Sequence, residues 1–89
     1  MKRARVTLDN RLGLHARAAA KLVATAKTFA SRITLEKDGA AVDGKSIMNI
    51  LLLAAPVGSV LELTADGEDE AEALAAIEAL VADRFGEEE

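Results

Sequence analysis

The order of apolar and polar residues predicts four strands. Alternation of apolar and polar residues, which is typical of half-buried strands, occurs in three segments, residues 4–8, 32–37 and 60–65. In the first of these, Ala4, Val6 and Leu8 share one face. An Asp-Gly pair at positions 38 and 39 favours a tight hairpin turn. A brief fourth strand through residues 41 and 42 is therefore predicted to pair with the strand before the turn.

Apolar residues at helical spacing predict three helices between and after these strands. The first covers residues 16–30, and its apolar face comprises Ala19, Leu22, Val23, Ala26, Phe29 and Ala30. The second covers residues 47–54, with Ser46 as its N-cap and Pro56 preventing its continuation. The third begins after Asp69, which is predicted to cap it with Glu72 as capping-box partner. The residues of this helix predicted to be buried are Leu74, Ile77, Val81 and Phe85. The helix is predicted to end at Gly86.

The resulting order, β-α-β-β-α-β-α, predicts an α+β fold in which the helices cover one side of an antiparallel sheet. Eighty-nine residues are expected to form a single domain, residues 1–89. Residues 86–89 contain an acidic run and are expected to form a frayed, solvated tail.

Composition and charge remove several classes of function. The net charge is −4, and there is no Trp or Tyr to stack on bases, so nucleic-acid binding is not expected. Without cysteine and with one histidine, the chain is expected to hold no disulfide, metal or cofactor. The longest uncharged stretch, residues 46–61, is too short and broken to cross a bilayer. No secretory signal is recognised, so a cytoplasmic protein is expected.

His15 lies where a glycine-containing loop meets the first predicted helix. Backbone N–H groups at a helix N-terminus point outward and attract anions. Arg17 and Lys21 add positive charge that the helix macrodipole disfavours, which indicates an anion at this place. A neutral imidazole nitrogen can form covalent intermediates, so phosphate on His15 fits these groups, with Arg17 stabilising the phosphoryl oxygens. The alternative is that His15 only satisfies a local hydrogen bond.

Two motifs carry a resemblance to a known family. They are LGLHARAAAKL around His15 and VDGKSIMNILLLAA around Ser46. Over residues 5–85 the chain resembles the HPr phosphocarriers of the bacterial phosphoenolpyruvate-dependent phosphotransferase system. The resemblance implies an open-faced β-sandwich, a four-stranded antiparallel sheet with three helices on one face. It also implies that enzyme I phosphorylates His15 on Nδ1 and that the phosphoryl group passes to a histidine of an enzyme II A-domain.

The same resemblance assigns roles around the histidine. Arg17 matches the arginine that contacts the phosphohistidine, and the backbone of Ala16 and Arg17 is expected to bind phosphate. These roles describe a carrier with a covalent intermediate rather than an independent turnover enzyme. Sugar-transport members usually have proline after this arginine, where the chain has Ala18. With alanine at this position, the motif looks more like that of the nitrogen-related branch of the family. The sequence does not decide whether the pathway is sugar uptake or a regulatory phosphorelay.

The second motif predicts a partner surface. Ile47, Met48 and Leu51 belong to a helix with more apolar residues than one face can bury. We expect Ile47 and Met48 to be exposed near His15, forming with Leu51 and Lys21 a docking surface. Alternatively, the two form the outer rim of the core.

Ser46 has two interpretations. It either only caps the second helix, or it is also phosphorylated by a dedicated serine kinase and released by a phosphorylase, as the resemblance implies for some bacteria. The alternative function is a non-catalytic regulatory binding module that acts through the Ile47 and Met48 surface and is controlled at Ser46. A ligand-sensing domain has little support, because no convergent polar pocket is predicted. A monomer is expected.

Overall fold

The computed structural model describes residues 1–88, which form four strands and three helices followed by a short 3₁₀ turn. The elements are β1 (Lys2–Thr7), α1 (Ala16–Ala26), β2 (Arg32–Lys37), β3 (Ala40–Asp43), α2 (Ile47–Leu52), β4 (Val60–Asp66), α3 (Glu70–Ala82) and the turn Arg84–Gly86. The predicted element order and strand positions are confirmed.

The four strands form one antiparallel sheet in the order β1-β4-β2-β3. Leu63 of β4 lies opposite Ala4 on one side and Leu35 on the other, and Leu35 lies opposite Val42. Because side chains alternate along each strand, this row faces the helices as a unit. The structure is the predicted open-faced sandwich, with three helices on one face of the sheet.

The core lies between the sheet and the helices and is almost entirely aliphatic. Its fully buried large side chains are Leu8, Leu22, Ile33, Leu35, Ile50, Leu61, Leu63, Ile77 and Phe85. Alanines of α1 and α3 let these layers approach closely, since Ala18, Ala19, Ala26 and Ala73 are inaccessible to solvent. Between residues 1 and 88, no helix has the length and apolar character needed to cross a membrane.

The β2–β3 hairpin is confirmed at its turn. Asp38 and Gly39 both have positive φ, 50° and 84°. Two consecutive residues with positive φ match the twist of the strands they connect, and Asp-Gly tolerates this conformation.

All three helices are shorter than the sequence pattern predicts. α1 ends at Ala26 rather than at residue 30, and Ala30 is exposed. Its chain leaves the helix because the N–H groups of Ala30 and Ser31 donate to the Asp69 carboxylate, at 2.8 and 2.9 Å. α2 ends at Leu52 rather than at residue 54, and Ala54 has a φ of 49°.

α3 ends at Ala82 rather than at Gly86. Arg84 and Phe85 have φ values of 54° and 56°, which interrupts the helix. The change of direction places Phe85 in the core with no exposed surface. Burial of this large aromatic side chain outweighs the cost of the unusual backbone conformation.

The predicted cap of α3 is wrong. Asp69 occupies the N-cap position, but its carboxylate makes no capping bond and accepts from Ala30, Ser31 and the Ser31 hydroxyl instead. Glu70 accepts from the Gly67 N–H at 3.2 Å, whereas Glu72 is exposed and makes no such bond with residues 1–88.

Candidate functional site

The loop before His15 is held in a fixed conformation by contacts with the loop after α2. Gly13 has a φ of 66°, and a Cβ there would lie 2.5 Å from the Ala55 carbonyl oxygen. The Leu14 N–H donates to that oxygen at 2.9 Å. Asn10 is completely buried, and its Nδ2 donates to the Gly13 carbonyl oxygen at 2.7 Å. The position of His15 is therefore set by tertiary contacts as well as by the helix that follows.

His15 is the N-cap residue of α1, as its place in the sequence predicts. Its backbone is extended, and its carbonyl accepts the first bond of the helix, from the Ala19 N–H at 2.8 Å. The imidazole makes no capping bond, and the side chain is 26% exposed. The N–H groups of the next three residues, 16 to 18, have no hydrogen-bond partner among residues 1–88. Free donors at a helix N-terminus form a site suited to an anion.

One nitrogen of the imidazole is occupied by the C-terminal segment. Nε2 of His15 lies 2.5 Å from Oε2 of Glu87, and the other carboxylate oxygen accepts from Asn10 Nδ2 at 2.8 Å. Within the described residues, Nδ1 has no hydrogen-bond partner. The expectation of a frayed tail is wrong for Glu87, which these two bonds hold against the site. Glu89 lies outside the described residues.

The surroundings of Glu87 keep its carboxylate ionised. The hydrogen bond from Asn10 is the largest cause that lowers the pKa of Glu87, and partial burial opposes it. The hydrogen bond with His15, the charge of its ring when it is protonated, and the positive charge of Arg17 lower the pKa of Glu87 further. At neutral pH Glu87 is therefore an acceptor, and Nε2 of His15 is the donor in this pair.

Arg17 lies beside the same segment. Its side chain is exposed and lines an open cavity of about 450 Å³ together with Arg11 and residues 86–88. Lys21, one turn further along α1, donates from Nζ to the Phe85 carbonyl oxygen at 2.5 Å. Lys21 thus fastens the C-terminal turn to α1, a contact that no local pattern in the sequence indicates.

Ser46 caps α2 as predicted, and its hydroxyl accepts from the Asn49 N–H at 3.4 Å. The predicted exposure at the start of this helix is also found, with Ile47 40% and Met48 71% exposed. Leu51 is half-buried against the core, and Leu52, which the prediction omitted, is 76% exposed. Since α2 packs on α1, this apolar surface belongs to the same side of the molecule as the helix that carries Arg17.

Sequence reasoning missed Asn10 and Glu87. Asn10 belongs to a stretch of turn-forming residues, and nothing local indicates that its amide is buried. Glu87 begins a run of three glutamates, a pattern typical of solvated tails. The signal available for Glu87 was its position two residues after Phe85, because a buried aromatic side chain fixes the chain close to Glu87.

The assembled groups suit transfer of an anionic group to nitrogen. Nδ1 of His15 is available as a nucleophile, Nε2 is held by a carboxylate, and backbone donors lie at the adjoining helix end. The part of the chain that the structure describes has no group of three or more His, Cys, Asp or Glu side chains able to hold a metal ion.

Comparison with known proteins identifies the family. The family model described as PTS HPr component phosphorylation site matches residues 2–83. The phosphocarrier protein HPr of Cupriavidus necator is 52% identical over 83 residues, which is 93% of each chain. The crystal structure of HPr-C-His from Thermoanaerobacter tengcongensis superposes with a TM-score of 0.97 at 46% identity, covering 100% of both chains. The structure of the Bacillus subtilis catabolite repression protein Crh, a swapped dimer, superposes with a TM-score of 0.76 at 43% identity, covering 94% of this chain and 97% of that one. The chain belongs to the HPr phosphocarrier family of the phosphotransferase system.

Proposed function

We propose that this protein accepts a phosphoryl group on Nδ1 of His15 from phosphorylated enzyme I and passes it to an enzyme II A-domain. The observation that carries the proposal is the partly exposed imidazole, whose Nδ1 has no partner among residues 1–88, beside three free backbone donors. Membership of the HPr family agrees with this chemistry.

The transfer needs little beyond orientation and charge. The lone pair of Nδ1 attacks phosphorus, a P–N bond forms, and the bond between phosphorus and the donor atom breaks with its electron pair leaving on the donor. The charge of the transferred group is spread over its oxygens, so preorganised donors are the main contribution of a protein. The N–H groups of Ala16, Arg17 and Ala18 supply them.

The Arg17 guanidinium is the second part of the phosphate site. It has planar paired donors that suit phosphoryl oxygens. Its exposure lets it move from its position near Glu87 towards a group on Nδ1. We expect Arg17 to stabilise the phosphohistidine, with less effect on the unmodified protein.

The docking surface for both partners comprises Ile47, Met48, Leu51 and Lys21. Met48 contributes the largest exposed fraction of these apolar residues, at 71%. An unbranched thioether side chain adapts to differently shaped surfaces, and a carrier has to bind two partners in turn. A monomer suits this shuttling between partners.

Labelled phosphate tests the carrier function. The protein is incubated with enzyme I and labelled phosphoenolpyruvate, and the product is examined for phosphate that is labile in acid and stable in base. Wild type is expected to take up label, His15→Ala is expected to take up none, and Arg17→Ala is expected to react more slowly with an unchanged melting temperature. Absence of label on wild type would refute the proposal, and an unchanged rate for Arg17→Ala would remove its role.

The pathway is a separate part of the proposal. Ala18 stands where sugar-transport members usually have proline, and this favours a nitrogen-type regulatory relay. In the structure Ala18 is buried in the first turn of α1 and keeps an N–H that proline would lack. Transfer from the phosphorylated protein to sugar-type and nitrogen-type enzyme II A-domains, measured side by side, distinguishes the two pathways.

A second function, regulation, is favoured by the 43% identity to the catabolite repression protein Crh, and we propose Ser46, whose hydroxyl lies at the start of α2, as the regulated residue. A phosphate is electrostatically tolerated at a helix N-terminus, so the fold would survive the modification. Intact-mass measurement after incubation with an ATP-dependent serine kinase tests it. An acid-stable adduct that Ser46→Ala lacks supports regulation, and no adduct leaves Ser46 as a cap.

A further inference from the structure

We propose that Glu87 is a positioning residue, which holds the Nε2 proton of His15 and thereby presents Nδ1 as the phosphoryl acceptor. The inference rests on the proposed carrier function and adds a residue from the opposite end of the chain to the site. Its basis is the contact between Oε2 of Glu87 and Nε2 of His15 at 2.5 Å.

Asn10 fixes the direction of the Glu87 carboxylate. Its Nδ2 donates to Glu87 Oε1 at 2.8 Å and to the Gly13 carbonyl oxygen at 2.7 Å. Both partners are acceptors, so the amide has one possible orientation. Since Asn10 is completely buried, its side chain cannot swing into solvent. Its Oδ1 is buried without a partner among residues 1–88, so this orientation is kept at the cost of one unsatisfied acceptor.

The segment that carries Glu87 is anchored on the same side of the molecule. Phe85 is buried in the core, and its carbonyl oxygen accepts from Lys21 Nζ. Arg84 Nε donates to Asp9 Oδ2 at 3.2 Å. These contacts connect the C-terminal turn to α1 and to the loop before His15. Glu87 is thus delivered to the imidazole by an attached turn rather than by a free tail.

The pairing determines which ring nitrogen is nucleophilic. A neutral imidazole carries one proton, and a carboxylate at Nε2 keeps that proton there because it can only accept. The lone pair then remains on Nδ1. The two ring nitrogens point in different directions, so Glu87 occupies Nε2 without obstructing the approach to Nδ1. A carboxylate that holds the far nitrogen of a functional histidine is a recurrent device in proteins.

Protons and charges balance through both transfers. When the P–N bond forms at Nδ1, the proton stays on Nε2, and the positive charge of the ring is balanced by the Glu87 carboxylate. When the group moves on, the P–N bond breaks, its electron pair returns to Nδ1, and the ring is again neutral with the same proton. No proton has to be taken up or released by the histidine in either direction.

The test compares Glu87→Ala with Glu78→Ala, which removes the same charge from an exposed position of α3. Two quantities are measured on each protein, the nitrogen-15 spectrum of the His15 ring and the single-turnover rate of phosphorylation by enzyme I. Wild type and Glu78→Ala are expected to show one tautomer, protonated at Nε2. Glu87→Ala is expected to show a mixture of tautomers and to react about tenfold more slowly, at the lower end of the range for carboxylates that orient functional histidines.

A purely structural role would change the rate without changing the tautomer, and that result would overturn the inference. An unchanged rate in Glu87→Ala would overturn it as well, whatever the ring spectrum shows. Failure of wild type to accept phosphate would refute the carrier function instead, and the ring spectra would still report whether Glu87 holds the proton.

Discussion

Gly13 and Asn10 hold the backbone before His15 in a conformation that few other residues would allow. Gly13 combines a positive φ with a backbone contact that leaves no room for a side chain. Asn10 closes the loop twice, because its carbonyl oxygen accepts from the Gly13 N–H at 3.0 Å and its amide donates to the Gly13 carbonyl. The direction in which His15 leaves the loop therefore depends on Gly13 and Asn10 as well as on the helix that follows.

Gly13→Ala is expected to destabilise the protein by more than the backbone conformation alone explains. A Cβ at this position would lie 2.5 Å from the Ala55 oxygen and 2.8 Å from Pro56 Cα. Gly39→Ala is the matched control, since Gly39 also has a positive φ but nothing within 4 Å of its Cβ position. Urea unfolding should show that the free energy of unfolding falls by about 1–2 kcal/mol in Gly39→Ala. In Gly13→Ala it should fall by about 1–3 kcal/mol more than in this control.

Equal losses for the two glycine variants would contradict this account. They would mean that the loops containing Gly13 and Ala55 separate without cost, and that the position of His15 is set by α1 alone.

The N-termini of α1 and α3 differ in the charge of their first turns. The first turn of α3 contains Glu70 and Glu72, as the helix macrodipole favours. The first turn of α1 contains no acidic residue and has Arg17 instead. The N-terminus of α3 is thus balanced by acidic side chains of its own first turn, whereas the first turn of α1 supplies none.

Asp69 connects elements that are distant in the sequence. Its carboxylate joins the start of α3 to the chain between α1 and β2 through Ala30 and Ser31. The hydrogen bond from the Ser31 hydroxyl is the largest cause that lowers the pKa of Asp69 from its ordinary value of 3.8, followed by the bond from the Ala30 N–H. A carboxyl whose pKa is depressed by folding stabilises the protein above its unfolded pKa, and this stabilisation is lost as the pH falls through the folded pKa.

Asp69→Asn is therefore expected to lower the melting temperature at neutral pH, with a difference from wild type that narrows below about pH 4. Thermal unfolding across that range measures the difference. Glu68→Gln, an exposed neighbour, serves as the control and should follow wild type throughout. A difference that stays constant from neutral to acid pH would show that the ionised carboxylate is not the cause.

For the whole molecule, the site is assembled from both ends of the chain. His15 and Glu87 are separated by 72 positions in sequence and are in direct contact. Ile47, Met48 and Leu52 form an exposed apolar surface on α2, and α2 packs against α1. The helices cover one face of the sheet and leave its other face uncovered. The helical layer of the molecule thus carries His15, Arg17 and the exposed apolar surface.

The fold could be predicted from sequence because its strands bury one face. Alternation at Ile33 and Leu35, and at Leu61 and Leu63, matches the buried positions directly. Helix ends were less predictable, since that of α1 depends on bonds from Ala30 and Ser31 to a residue nearly 40 positions away. His15 was predictable because the helix start and nearby cations are local features, whereas its contact with Glu87 is not.

The most direct test of the account determines where the phosphoryl group is attached. Wild-type protein labelled with nitrogen-15 is incubated with enzyme I and phosphoenolpyruvate, and the phosphorus–nitrogen couplings of the His15 ring are measured. We expect a single phosphoryl group bound to Nδ1, with the proton remaining on Nε2. A phosphoryl group on Nε2, or on any residue other than His15, would contradict it.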